Sequence, residues 1–235
     1  MPDLEALIFD VDGTLAETEE LHRAAFNEVF AAPGGPGWHW DVPLYAELLR
    51  VTGGKERIAA YVAQAGLPAL EPAAIAALHA AKTAAYTRRI MPGGIELRPG
   101  VRRLLWEAQG AGVKLAIATT TSLPNVQALL AACAPLPAFD VIAAGDEVAT
   151  KKPAPDVYLL ALARLGLPPA ACVAIEDTDN GVRAAVGAGL RCVVTTSVYG
   201  GQGPFAGASA VVANLEAGAV SVEWLAGVRP KIETD

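Results

Sequence analysis

Short apolar segments alternate with helical stretches along most of this 235-residue chain, and this alternation limits its fold more than any other feature. Each apolar segment is bounded by turn-forming residues, as a buried strand is, and the stretches between them repeat apolar residues at helical spacing. Such an order is typical of a parallel sheet with helices on both faces. The predicted strands span 4–9, 113–118, 139–143, 172–176, 191–194 and 210–212.

One block interrupts this alternation. Residues 17–92 contain helical patterns and no strand candidate, so the first strand is separated from its partners. We therefore predict an α/β fold with a Rossmann-like, doubly wound parallel sheet. Its core domain comprises 1–16 and 93–235, and an all-helical cap domain, 17–92, is inserted into it. The predicted cap helices are one that ends at residue 30, followed by 42–51, 55–65 and 71–90.

Charge and composition disfavour several classes of partner. The net charge is −7 and no block of lysine and arginine is present, which disfavours nucleic acid. No apolar run approaches the roughly 18 residues of a membrane span, and the acidic N-terminus lacks the layout of a signal peptide. Three widely spaced cysteines suit a reducing compartment. We expect a cytoplasmic monomer that binds neither membrane nor nucleic acid.

Polar residues follow three of the predicted strands, at the point where each strand ends. Asp10 and Asp12 follow the first strand, Thr119 follows the second, and Glu176 and Asp177 belong to the fourth. Because the carboxyl ends of parallel strands meet at one edge of the sheet, these side chains should converge there. Two carboxylates two residues apart on an extended segment point the same way, and a cation would relieve their repulsion.

The chemistry of such a cluster is that of phosphoryl transfer. Several carboxylates form an oxygen-rich pocket suited to Mg²⁺. A threonine beside a helix N-terminus, together with a lysine, suits a phosphate group, and a carboxylate can itself be the nucleophile that forms an aspartyl-phosphate. The lysine is Lys152 or its neighbour Lys151, since both precede the same helix.

Four motifs in this order resemble those of the haloacid dehalogenase-like hydrolase superfamily. They are Asp10-Val11-Asp12-Gly13-Thr14, then Thr119, then Lys152 before Pro153, and Glu176-Asp177. The dehalogenase branch lacks the second aspartate, so Asp12 favours phosphate chemistry. The helical insertion resembles the small cap of the β-phosphoglucomutase-like branch.

This resemblance implies a role for each motif residue. Asp10 would be the nucleophile, and Asp12 would be the general acid and base and lend its carbonyl to the metal. Thr119 and Lys152 would hold the phosphoryl group. The implied cofactor is Mg²⁺, with Asp10, Asp12, Glu176 and Asp177 as its site.

Four further segments resemble the CbbY group within that family, which comprises sugar-bisphosphate phosphatases tied to the Calvin cycle. The segments are 16–23, 52–57, 118–125 and 143–146. The resemblance implies a small sugar-phosphate partner, with the 1-phosphate of xylulose 1,5-bisphosphate as the group removed. The chain departs from the pattern in a long loop rich in glycine and proline, 32–40, and at Asp179.

Several cap residues are candidates for holding the rest of the substrate. Arg57 is expected to grip a distal phosphate, the alternative being a solvated first helical turn. Gly54 and Lys55 belong to a tight turn that faces the core. Lys82 interrupts an apolar helix stripe, where it either reaches substrate or extends its amine to solvent.

Residues near the motifs complete the predicted site. Glu17 and His22 flank the entry to the cap and are expected to contact sugar hydroxyls, although a surface position suits His22 nearly as well. Thr120 and Thr121 are also predicted to bind substrate. We expect no chemical role for His39 and His79.

Two alternatives to a phosphatase stay open. A phosphomutase on the same fold would return the phosphoryl group to sugar rather than to water, and the motifs do not separate the two. A catalytically inactive, phosphate-binding regulatory protein would be expected to lack a motif residue, and none is missing here.

Overall fold

The computed structural model describes residues 4–90, 94–201, 203–216 and 220–230. Its centre is a six-stranded sheet with the order β3-β2-β1-β4-β5-β6, in which every neighbouring pair is parallel. The predicted α/β fold with a parallel sheet is confirmed. The strands are β1 (Ala6–Phe9), β2 (Lys114–Ala118), β3 (Val141–Ala143), β4 (Cys172–Glu176), β5 (Arg191–Thr195) and β6 (Ala210–Val212).

The first four of the helices between β1 and β2 form the inserted block. They are α1 (Glu19–Ala31), α2 (Val42–Leu48), α3 (Gly54–Gln64) and α4 (Pro72–Ile90). The helices that flank the sheet are α5 (Val101–Gly110), α6 (Leu123–Ala132), α7 (Asp156–Leu165), α8 (Asp179–Gly187) and α9 (Val222–Gly227). The predicted domain boundary at 92 and 93 falls outside the described residues, so the division into domains stays a prediction.

Both faces of the sheet are buried, because successive side chains of a strand point to opposite faces. Leu7 and Phe9 of β1 pack into one apolar cluster, which contains residues of α5 and α6. Ala6 and Ile8 point into a second cluster, formed with α7 and α8. This two-sided packing explains why the strands are continuous apolar runs rather than alternating ones.

The inserted helices have a small core of their own, which is mostly aromatic. Phe26, Phe30 and Trp40 are almost completely buried, and the rings of Phe26 and Trp40 lie 4.6 Å apart. The long loop 32–40 delivers Trp40 to this core, and Asn27 hydrogen-bonds both the N–H and the carbonyl of Trp40. The loop that departs from the CbbY pattern therefore serves the packing of this core.

The C-terminal part contains an element that the sequence did not predict. Helix α9 is capped by Ser221, whose hydroxyl accepts from the N–H of Trp224, and it buries Leu225 against the sheet cluster. At six residues it is too short to show a helical period, which is why it was missed. None of the described helices is both long and apolar enough to cross a membrane.

Candidate active site

A cavity of about 590 Å³ lies between the carboxyl edge of the sheet and the inserted helices. Cap and core touch at its rim, where the Thr52 hydroxyl donates to the carbonyl of Lys152, and the Asn180 amide donates to that of Arg50 at 3.0 Å. The predicted site residues that line the cavity are Asp10, Asp12, His22, Gly54, Arg57, Lys82, Thr120, Thr121, Lys152, Glu176 and Asp177.

A buried lysine joins two of the carboxylates at the floor of the cavity. Lys152 Nζ lies 2.6 Å from Asp10 Oδ1 and 2.6 Å from Glu176 Oε1, and it donates to the Ala118 carbonyl at 2.9 Å. Lys151 points elsewhere, with its amine bound to the carbonyls of Gly145 and Val148. Of the two lysines that the sequence left open, Lys152 is therefore the one that contacts the carboxylates.

Three carboxylates at this point are close enough to share one cation. Oxygen atoms of Asp10, Glu176 and Asp177 all lie within 4.8 Å of one another, and all three residues are buried. Burial and the neighbouring carboxylates, against the effect of Lys152, raise the pKa of Asp10 to about 7. Burial together with Asp10 and Glu176 raises the pKa of Asp177 well above its ordinary value. These three carboxylates supply only oxygen ligands, and they repel one another when ionised. Such a group of ligands fits a hard divalent cation such as Mg²⁺, which relieves the repulsion.

Other side chains hold two of these carboxylates in place. Tyr158 donates its hydroxyl to Glu176 Oε1 at 2.5 Å, and Ser197 donates to Asp177 Oδ2 at 2.6 Å. Since each oxygen so engaged is fixed in direction, both carboxylates are held with little freedom.

Two glycines allow the carboxylates to come this close to the backbone. A Cβ atom at Gly13 would lie 2.1 Å from Asp177 Oδ2, and the φ of +80° at Gly13 also favours glycine. At Gly181 a Cβ atom would lie 1.9 Å from Glu176 Oε2. Gly13 of the first motif is therefore required, because a larger residue there would collide with Asp177 of the fourth motif.

Asp12 is not part of the three-carboxylate cluster, because its side chain turns toward the cap. Its Oδ1 accepts from the Thr18 hydroxyl at 2.5 Å and lies 3.0 Å from His22 Nε2. Lys82 Nζ lies 2.6 Å from His22 Nδ1, so the imidazole connects Lys82 to Asp12. The predicted metal role of Asp12 can therefore rest only on its carbonyl, and His22 and Lys82 contact each other in the cavity wall.

The protonation of this chain of residues follows from its surroundings. Burial alone would raise the pKa of Asp12, but His22 and Thr18 lower it to about 2. Burial lowers the pKa of Lys82 to about 7, in spite of the nearby Asp12. Asp12 is ionised at neutral pH, which is the form that receives a proton.

Arg57 of α3 is a buried cation that also lines the cavity, and neutral groups hold it. Its Nε donates to the Leu48 carbonyl at 3.3 Å and its Nη1 to the Tyr45 hydroxyl at 3.2 Å, while Tyr45 donates to Glu19 at 2.7 Å. Within the described part of the chain, no carboxylate forms an ion pair with Arg57. Because these partners are neutral, they do not offset the positive charge of the buried guanidinium. That charge can therefore attract an anion.

Not every predicted residue reaches the cavity. Thr119 is buried at the end of β2, where its hydroxyl accepts from the N–H of Thr121 at 3.2 Å. Glu17 forms an ion pair with Arg98 at 3.1 Å, and Lys55 is exposed. The structure therefore does not bring Glu17 or Lys55 to the cavity wall, and their contacts with substrate stay predictions.

The match to known proteins agrees with this geometry. Residues 4–189 match the family of haloacid dehalogenase-like hydrolases. The chain belongs to that family. The hydrolase family is supported further by Protein CbbY of Cereibacter sphaeroides, which is 58% identical over 209 residues, covering 87% of this chain and 90% of that protein.

Two solved structures extend the comparison. The crystal structure of CbbY from Rhodobacter sphaeroides in complex with phosphate has a TM-score of 0.84 and 54% identity, covering 91% of this chain and 96% of that one. The structure of its D10N mutant in complex with xylulose 1,5-bisphosphate has a TM-score of 0.85 and 55% identity, with the same coverage. The predicted family, the resemblance to CbbY proteins and the assignment as a phosphatase enzyme are confirmed.

Sequence reasoning missed the residues that support the site. Three side chains contact site residues from distant points of the chain, namely Tyr45, Tyr158 and Ser197. They belong to no motif or helical period from which these contacts could be predicted. His79 lines the cavity although we expected no chemical role for it. Its position one turn before Lys82 on α4 was the available signal.

Proposed function

We propose that this hydrolase removes one phosphate from a small sugar bisphosphate through an aspartyl-phosphate on Asp10. The observation that carries the proposal is a single cavity lined by Asp10 and Lys152 from the edge of the sheet and by the buried, uncompensated Arg57 from the inserted helices. The complex of the related CbbY mutant with xylulose 1,5-bisphosphate supports that sugar as the substrate. Its 1-phosphate is the group that we assign to the Asp10 end.

In the first step, a carboxylate oxygen of Asp10 bonds to phosphorus, and the bond from phosphorus to the sugar oxygen breaks. The leaving oxygen takes a proton from Asp12. Since the pKa of Asp12 is about 2, this proton has to come from a neighbour. Lys82 and His22 form a hydrogen-bonded chain that ends on Asp12 and can deliver it. The approach of a phosphate dianion also favours the protonated form of Asp12.

In the second step, water bonds to phosphorus and the bond to Asp10 breaks. Asp12, now ionised, takes the proton of that water, and phosphate leaves. Lys152 stays within reach of Asp10 Oδ1 and neutralises charge on the transferring group. We assign the hydroxyl of Thr119 to the same group from the family motif alone, since Thr119 does not line the cavity in this structure. One water is consumed and the products are a sugar monophosphate and inorganic phosphate.

The cation is assigned to the same end of the cavity. Asp10, Glu176 and Asp177, with the carbonyl of Asp12, would hold Mg²⁺, which when bound offsets negative charge on the phosphoryl group. We propose that residues 17–92 act as a cap that shields the reacting phosphate from bulk water. Arg57 then holds the second phosphate.

Product analysis tests this function. The protein is incubated with Mg²⁺ and xylulose 1,5-bisphosphate, and products are followed by phosphorus NMR. We expect equal amounts of inorganic phosphate and xylulose 5-phosphate, with turnover reduced more than about a thousandfold in Asp10→Asn. An isomeric bisphosphate without free phosphate would identify a phosphomutase instead. No turnover of any sugar phosphate, with binding intact, would favour the regulatory alternative.

A further inference from the structure

Arg98 binds the backbone beside the active site, although it does not line the cavity and the steps above do not use it. It lies where the chain returns from the inserted helices to the sheet, and it is only 9% exposed. Its N–H donates to the Leu15 carbonyl at 2.8 Å, and the preceding residue, Leu97, forms an antiparallel bridge with Ala16. The backbone of Arg98 is therefore tied to the segment that follows the first motif.

The guanidinium of Arg98 holds the peptide group that follows Gly13. Arg98 Nη1 donates to the Gly13 carbonyl at 2.5 Å, and the N–H of Gly13 donates to the Ala16 carbonyl at 2.8 Å. Glycine restricts its own backbone little, so such contacts decide the direction of the peptide groups on either side of it. The peptide group before Gly13 contains the carbonyl of Asp12, which is assigned to the cation. Arg98 and Ala16 together fix its direction.

The same guanidinium also holds the end of β5. Arg98 Nη1 donates to Thr195 Oγ1 at 2.8 Å, and Nη2 donates to the Thr196 carbonyl. The next residue is Ser197, whose hydroxyl donates to Asp177 Oδ2 at 2.6 Å. The two segments touch each other, since a Cβ atom at Gly13 would lie 3.0 Å from Ser197 Oγ. One side chain therefore sets the distance between the first motif and the residue that orients Asp177.

These contacts need the planar fork of an arginine. Besides its contacts through Nη1 and Nη2, Arg98 forms an ion pair through Nε with Glu17 Oε1 at 3.1 Å. A lysine has a single nitrogen, so it can offset the charge of Glu17 but cannot reach Gly13 and the end of β5 in the same way.

We propose that Arg98 is a positioning residue for the reaction, which holds the Asp12 carbonyl and the Asp177 carboxylate in the relative positions that the cation and the attack on phosphorus require. The inference rests on the proposed function, because that function assigns both groups to the cation. Since Arg98 lies outside the cavity, its replacement should lower kcat and the affinity for Mg²⁺ more than it changes KM.

Arg191 provides a matched control on the same strand. It is also buried, and it donates to the carbonyls of Ala170, Ala226 and Val228. Arg191 begins β5, whereas Thr195, the partner of Arg98, ends it, so Arg191 stabilises the opposite edge of the sheet. Arg98→Lys and Arg191→Lys each keep the charge and lose the fork. For both variants, kcat and KM are measured with xylulose 1,5-bisphosphate, the Kd of Mg²⁺ by calorimetry without substrate, and Tm by circular dichroism.

We expect both variants to have a lower Tm, because each loses hydrogen bonds to buried carbonyls. Arg98→Lys should also lower kcat and weaken Mg²⁺ binding by about ten- to a hundredfold, as the loss of an outer partner of a metal site does. Arg191→Lys should keep kcat and the Kd of Mg²⁺ within about twofold, the usual result away from such a site. Equal kcat and equal Kd of Mg²⁺ in the two variants would overturn the inference.

A milder variant covers the case in which Arg98→Lys does not fold. Thr195→Val is similar in shape and removes one acceptor of Arg98 while leaving the guanidinium in place. It should lower kcat about fivefold and weaken Mg²⁺ binding in the same direction, as the loss of one hydrogen bond predicts. An unchanged kcat and Kd of Mg²⁺ in Thr195→Val would contradict the inference. Failure of the proposed function would look different, since the wild-type protein would then release no phosphate from the bisphosphate.

Discussion

At the scale of single residues, the decisive contact is between one buried lysine and two carboxylates. Lys152 offsets charge that Asp10 and Glu176 would otherwise carry unpaired into the interior. The Asp10 and Glu176 carboxylates raise the pKa of Lys152 against the effect of burial, so its charge is retained. Without this lysine, the two carboxylates would be left with an uncompensated buried charge, which is costly.

The two adjacent lysines make a matched pair for testing this contact. We expect Lys152→Met to abolish measurable turnover and to lower affinity for phosphate, because it removes the cation beside the nucleophile. Lys151→Met should retain turnover within about threefold, since its amine binds only backbone carbonyls outside the cavity. Steady-state kinetics of both variants, with circular dichroism to check the fold, make the comparison. Similar losses in the two variants would contradict the assignment of Lys152.

At the scale of elements, strands and long helices were predictable because their apolar periods are strong. Helix α4 was predicted at 71–90 and spans Pro72–Ile90, and the other helices of the cap were found within a few residues of their ends. The short helix α9 lacks such a period and was missed.

The site was predictable in part for a related reason. Parallel topology alone brings Asp10, Glu176 and Asp177 to one edge, so the cluster follows from strand order. The direction of a side chain at the entry to the cap depends on tertiary packing, which a single sequence does not display. This is why Glu17, expected to reach sugar hydroxyls, instead pairs with Arg98 in a different part of the fold. Arg98 itself has no motif, although it binds the carbonyls of Gly13 and Thr196.

The first turn of α3 gives a prediction at this scale. Arg57→Ala removes the buried cation that α3 contributes to the cavity, and it should raise KM for a sugar bisphosphate by about ten- to a hundredfold, the loss of one charge-assisted contact. A small phosphate ester that does not reach the cap should be hydrolysed nearly as before. Phosphate-release assays on both substrates measure the two effects. Equal losses would mean that Arg57 supports cap folding through Leu48 and Tyr45 rather than substrate binding.

At the scale of the whole molecule, an acidic chain concentrates several carboxylates at one edge of its sheet, and its stability should depend on how they are neutralised. The pKa of Asp10 rises from 3.8 to about 7 on folding, so between these values the folded protein binds more protons than the unfolded one. Stability from this group is therefore present at low pH and lost as pH rises toward 7. A divalent cation competes with those protons and should replace them at higher pH.

Thermal unfolding with and without Mg²⁺ checks this linkage. At about a hundredfold excess over its Kd, Mg²⁺ should add about 2.7 kcal/mol at pH 8, or several degrees in Tm. The same concentration should have little effect at pH 5, where Asp10 is protonated and the raised pKa of Asp177 favours its protonated form as well. Asp177→Asn should reduce the shift at pH 8. An equal shift at both pH values would contradict a cation bound by these carboxylates.

The central claim is that one cavity binds two phosphates and hydrolyses one. Its most direct test is kcat/KM, from phosphate release, for xylulose 1,5-bisphosphate beside xylulose 5-phosphate and a small phosphate ester, at saturating Mg²⁺. With Arg57 and its neighbours holding the second phosphate, kcat/KM for the bisphosphate should exceed that of either monophosphate by about a hundredfold or more. A monophosphate hydrolysed as efficiently as the bisphosphate would contradict the account.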